Sequence, residues 1–158
     1  MRHSPSRRRS GFTFIEILVV FIVFSAVMAI SVRSVGDTLR RDRVAKVSAI
    51  VGSDIEQAFS IAARQRLPVR MLIDRTNKTL TIVDRNTPTL IYKTRSFART
   101  GEYALDSLWS NRDTIDIMPN GLATDTLKLS LVIKTRGGVP YAKSVRASIG
   151  GLVRLDNR

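Results

Sequence analysis

Glu16 stands alone as an acid inside residues 12–32, where 17 of 21 residues are apolar. A charge in a bilayer interior costs about 3 kcal/mol on insertion scales, somewhat less near its edge, so a carboxylate at this place calls for a partner and a purpose. Few other residues offer chemistry. The chain has no cysteine, which removes disulfides and thiolate metal sites, and its one histidine, His3, lies in a basic N-terminal tail. Histidine triads and multi-histidine metal sites are therefore excluded, and no acidic cluster has a calcium-loop spacing. Asp113 and Asp116 are close in sequence, but a three-residue offset puts them on opposite faces of a strand, where solvated charges are the expectation. No nucleotide loop or paired-carboxylate signature occurs, and the chain does not read as an enzyme. Asn77-Lys78-Thr79 fits a glycosylation acceptor only by pattern.

The chain carries 26 lysines and arginines against 13 acids, a formal charge of +13. Arg2, Arg7, Arg8 and Arg9 crowd the first eleven residues, and without them the balance is still +9. Such a surface attracts polyanions: nucleic acid, anionic lipid or acidic proteins. The plainer account is an arginine-rich solvated surface. Arg136, Lys143, Arg146, Arg154 and Arg158 gather near the C-terminus and are the candidate polyanion contacts.

The elements that position these residues come from periodicity. As a helix, residues 12–32 are ~31 Å long, the thickness of a bilayer's hydrocarbon core. Arginines before the run and none inside it predict a cytoplasmic N-terminus with the rest of the chain outside. A cleaved secretory signal, with Val27-Met28-Ala29 as the cleavage site, and a plain uncleaved anchor both fit the hydropathy. Neither gives Glu16 a role. A twin-arginine export signal fits Arg8-Arg9 but not the residues after them.

The stretch G-F-T-F-I-E, residues 11–16, resembles the processing site of type IV prepilins and type II secretion pseudopilins. The resemblance implies a cytoplasmic leader over 1–11 in which Arg7, Arg8 and Arg9 are the basic residues. It implies cleavage by a prepilin peptidase between Gly11 and Phe12, N-methylation of Phe12, and an assembly role for Glu16. Cleavage would leave a cationic amine on Phe12, and a carboxylate one turn along the same or a neighbouring helix would pair with it in apolar surroundings. A matched pair there fixes register.

The helical pattern continues beyond the apolar run, through an amphipathic half over 33–66. Val44, Val47, Val51, Ile55, Ala58, Phe59 and Ala62 form one stripe, with Arg41, Arg43, Lys46, Asp54, Glu56 and Arg64 mainly off it. Pro68 sets the end. From Leu67 the period becomes two. Strands are expected at 69–74, 79–84, 89–94, 114–121, 126–135, 139–149 and 152–156, with an irregular connection over 95–112 and hairpin turns at Gly137-Gly138 and Gly150-Gly151. The expected fold is α+β and pilin-like. One long N-terminal helix, membrane-spanning over 12–32, packs on an antiparallel β-rich head, 67–158, of about seven strands.

Within that superfamily, I-D-I-M-P-N-G (115–121) and A-F-S-I-A-A-R-Q-R-L-P-V (58–69) resemble the GspH and FimT groups. GspH-like chains are minor pseudopilins of a periplasmic filament that drives protein export. Their partners are the peptidase, other pilin subunits, an inner-membrane assembly platform and the inner membrane itself. FimT-like minor pilins bind DNA for natural transformation through a Gly-Arg-x-Arg motif. Here that place reads G-L-V-R (151–154), with Leu152 in place of the first arginine. No cofactor is implied in either group.

Overall fold

The computed structural model describes residues 13–98, 103–134 and 140–157, without the side chains of 30, 32–35, 37 and 157. It divides into two compact units, Met1–Asp37 and Thr38–Arg158. Helix α1, Phe14–Gln65, supplies most of the first unit and opens the second.

The helix starts because Thr13 caps it. The Glu16 amide donates to the Thr13 carbonyl at 3.1 Å and to its hydroxyl at 3.4 Å, one half of a T-x-x-E capping box. Farther along, Ser25 Oγ donates to the Phe21 carbonyl at 2.7 Å and Ser31 Oγ to the Val27 carbonyl at 2.9 Å. The hydroxyls of the apolar run are thus satisfied within the helix itself.

In the second unit the predicted stripe is the core. Val44, Val47, Val51, Ile55, Ala58 and Ala62 are all buried, whereas Phe59 packs at the margin. The helix stops at Gln65 because Arg66 turns left-handed, at φ 54°, ahead of Pro68. Eight strands succeed it: β1 Val69–Asp74, β2 Thr79–Asp84, β3 Ile91–Ser96, β4 Ser107–Ser110, β5 Thr114–Ile117, β6 Leu127–Ile133, β7 Tyr141–Ala147 and β8 Val153–Asn157. About seven were expected. The addition is β4, a four-residue edge strand inside the stretch read as irregular.

The strands form two antiparallel sheets, β3-β2-β1-β5 and β4-β6-β7-β8, whose inner faces close on α1. Asp74 and Asp84, at the ends of β1 and β2, fold back on the next turn. Each carboxylate accepts two backbone amides, Thr76 and Asn77 for the first and Asn86 and Thr87 for the second. The Asn77 side-chain amide also donates to Asp74, so it serves the turn.

Two loops repeat one geometry. In 118–122 and 148–152 the fourth residue, Gly121 or Gly151, has φ near +80° and donates to the carbonyl three residues back. This is the turn-plus-glycine arrangement of a three-residue hairpin loop. It explains Pro119-x-Gly121 and Gly150-Gly151; the Gly137-Gly138 turn lies outside the described residues. At Gly151 a Cβ would also come within 3.0 Å of the Phe59 ring. Gly52, on α1, lets β8 approach. A Cβ there would meet Val153 at 3.4 Å and Leu155 at 3.7 Å.

Two acids depart from the sequence reading. Asp116 is not a solvated charge: its side chain is 14% exposed and takes a bidentate pair from Arg70, at 2.6 and 2.9 Å, plus Arg85 at 3.0 Å. Asp113 does lie in solvent, paired with Arg75. The Arg70 hydrogen bond holds the Asp116 carboxyl below its usual range; burial opposes this, and the charges of Arg70 and Arg85 reinforce it. Asp74 and Asp84 are held down chiefly by the amides of their turns. A carboxyl depressed by folding contributes stability above its unfolded pKa of ~3.9 and loses it as pH falls through the folded value. The urea midpoint is therefore expected to drop below about pH 4, and Asp116→Asn to flatten part of that slope. An unchanged slope in the variant would show that Asp116 does not contribute to it.

The other departure is Asp54, 1% exposed, which lies under the edge strand β3. Its carboxylate accepts from Nε and Nη2 of Arg95 and from Lys93 Nζ at 2.7 Å. Arg95 also donates to the Tyr103 hydroxyl at 3.1 Å, and Tyr92 reaches Gln65 at 2.7 Å. The helix meets β3 through polar side chains. Inward-pointing charges of this kind blunt a sheet edge against unwanted pairing.

Candidate functional site

The first candidate region is the start of α1. Its large apolar side chains are exposed on every side: Phe14 is 82% exposed, Phe21 67%, Val23 56% and Met28 58%. Opposite helix faces are equally bare, so no described residue covers them. Glu16 is exposed among them, in the first turn, where the helix dipole favours an acid. Gly11, Phe12, Arg7, Arg8 and Arg9 lie outside the described residues. No helix among the described residues is long and apolar enough to cross a membrane.

The second region is the outer face of the β4-β6-β7-β8 sheet. Side chains alternate along each strand, and register decides which of them meet. Lys128 on β6 stands directly across from Arg146 on β7, which stands across from Arg154 on β8. All three are exposed and form one row of cations across three strands. One carboxylate answers them: Asp156 lies 3.3 Å from Arg146. Beside this row runs a second, in which Trp109 on β4 faces Ser130, Ser130 faces Ser144, and Ser144 faces Asp156. Trp109 is 50% exposed and lies diagonally from Lys128.

Of the sequence candidates, Arg146 and Arg154 come together. Lys143 does not join them: it shares the inward side of β7 with buried Val145, opposite Leu131. Arg136 and Arg158 lie outside the described residues. Lys128 and Trp109 were missed, because they meet the C-terminal arginines only through strand order. Among the described residues, no group of three or more His, Cys, Asp or Glu could hold a metal ion.

Residues 6–32 match the prokaryotic N-terminal methylation motif. Two crystal forms of the type IV minor pilin FimU of Pseudomonas aeruginosa PAO1 share the fold. One aligns with a TM-score of 0.57 at 15% identity over 73% of this chain and 90% of that one, the other with 0.53 at 14% over 70% and 90%. A search of curated protein sequences finds no match. The chain thus has the pilin-like α+β fold, an N-terminal helix packed on antiparallel sheets. A prepilin-type methylation motif and a pilin-like fold thus coincide in one polypeptide. The motif implies processing by a peptidase and assembly with other pilin subunits.

Proposed function

We propose that this chain is a minor subunit of a type IV-type filament, cut between Gly11 and Phe12, methylated on Phe12 and anchored in the inner membrane by residues 12–32. In this reading the leader 1–11, with Arg7, Arg8 and Arg9, stays cytoplasmic and the head faces the periplasm. One observation carries the proposal: a helix start bearing the methylation motif exposes apolar side chains on all faces around a single acid, Glu16. Such a surface fits a bilayer first and neighbouring subunit helices afterwards. The finer reading is a GspH-like pseudopilin of a type II secretion system, which the Pro119-x-Gly121 turn between β5 and Ala123 supports.

The test is the N-terminal residue and mass of the protein extracted from membranes of a host with a prepilin peptidase. N-methyl-Phe12 is expected. A soluble chain starting at Ile30 would mean an ordinary secreted protein and would end the filament proposal.

A second reading, a FimT-like subunit that binds DNA, draws support from the Lys128–Arg146–Arg154 row. Like charges placed directly opposite one another destabilise a sheet unless something negative lies over them. Deleting the gene separates the two: lost protein export supports the first, lost transformation the second.

A further inference from the structure

Two features of the outer face of the β4-β6-β7-β8 sheet belong together, the cation row and the half-exposed tryptophan beside it. Strands repeat every ~4.8 Å, so Lys128, Arg146 and Arg154 span about 10 Å at their Cα atoms, within reach of consecutive phosphates of an extended strand. Asp156 offsets one of the three cations, and neither Lys128 nor Arg154 has a carboxylate partner among the described residues. The neighbouring row offers Trp109 at one end and the small side chains Ser130 and Ser144 next to it. Ser130 is buried beside the indole and Ser144 is half-buried, so no long side chain rises between Trp109 and Asp156 to keep a planar group off the half-exposed indole.

We infer that this face takes a single-stranded nucleic acid, phosphates along Lys128, Arg146 and Arg154 and an unpaired base on Trp109. The inference rests on the polyanion-binding reading above and specifies its ligand. Bases of a duplex are already stacked and paired, so a duplex engages the cation row and leaves Trp109 idle. A single strand engages both, as in other aromatic-and-basic nucleic-acid surfaces. An acidic peptide accounts for the row but gives the indole no task.

Trp109 is the sole tryptophan of the chain, so its emission reports on this face alone. That matters because the arginines of residues 1–11 attract any nucleic acid. The experiment titrates the full chain, in uncharged detergent, with a 12-nucleotide oligothymidine, a 12-base-pair duplex and polyglutamate. Oligothymidine is expected to quench Trp109, and duplex and polyglutamate to leave it unchanged. Each of Lys128→Gln, Arg146→Gln and Arg154→Gln should lower the slope of log affinity against log salt by about 0.7. Trp109→Ala should weaken oligothymidine binding about tenfold, with Trp109→Phe restoring most of it.

Duplex binding as tight as oligothymidine, with the three cations still setting the salt slope and no quenching, would overturn the single-strand inference and leave the polyanion reading standing. Polyglutamate binding as tightly as oligothymidine, with Trp109→Ala unaffected, would replace the nucleic acid by an acidic protein. A salt slope untouched by all three glutamine variants would end both readings.

Discussion

A Glu16→Val chain is expected to be cut after Gly11 at close to the native level and then to be lost from filaments. Cleavage happens at residues 11–12, while the Val side chain restores an unbroken apolar helix, so insertion should improve if anything. What disappears is the carboxylate that would receive the amine of Phe12. An ammonium packed among helices without a counter-charge costs about 3 kcal/mol or more, which lowers the incorporated fraction on the order of 100-fold. A competing account is local. Glu16 occupies the third position of α1, and its amide is held by Thr13, so the acid could serve the helix start alone. That role contributes about 0.5–1 kcal/mol, too little to abolish assembly. Glu16→Gln separates the two, because glutamine retains the capping-box side chain and drops the charge. Comparing sheared filaments with the membrane fraction, the charge account expects Glu16→Gln to fail as Glu16→Val does. Native incorporation of Glu16→Val would remove the registry role; native incorporation of Glu16→Gln alone would reassign it to the cap.

How far the head could be read in advance depended on strand length and symmetry. β1 and β2 were legible residue for residue, because V-R-M-L-I-D alternates throughout, T-L-T-I-V-D alternates as far as Ile82, and both end in aspartates that fold back on their turns. The helix stripe was legible for the same reason. β4 was not. S-L-W-S is too short for its period to show, and it is held as a strand only by pairing with β6, some twenty residues on. β3 was set two residues early, at 89–94, because Thr89 and Leu90 still belong to the preceding turn, where the Leu90 amide donates to the Thr87 carbonyl.

The cation row shows a different limit. Counting charge along residues 136–158 put Lys143 with Arg146, although an offset of three places them on opposite faces of β7. The alternation that separated Asp113 from Asp116 applies equally here. Lys128 and Trp109 could not have been added by any local rule. They reach the row through the order β4-β6-β7-β8, which is a property of the folded sheet. Asp54 lies between these cases. Three residues after Val51 and four before Ala58, it sits at the margin of the stripe, and helix geometry alone predicts partial burial. Full burial requires β3 to bring Arg95 and Lys93 over it.

That burial makes Asp54→Ala the substitution expected to damage the head most. Asp54 is 1% exposed, and its two cations are 22% and 29% exposed. Removing the carboxylate strands two charges at the helix–β3 contact. They keep some access to water, and Arg95 keeps Tyr103, so the loss should lie at the low end for a broken buried pair, about 3 kcal/mol. For a domain near this size that lowers the melting temperature by roughly 10 °C. Arg75→Ala provides the contrast. Its pair with Asp113 is 44% and 61% exposed, and exposed pairs contribute less than about 1 kcal/mol. Thermal melts of the full chain in detergent, followed by Trp109 emission, should place Asp54→Ala far below Arg75→Ala. Restoring an apolar contact by Asp54→Leu with Arg95→Leu and Lys93→Met should recover much of the loss, since matched apolar burial replaces the whole ionic cluster at little cost. Equal melting of Asp54→Ala and the native chain would mean that the apolar stripe alone holds α1 in place. The polar contact under β3 would then serve the sheet edge rather than the stability of the head.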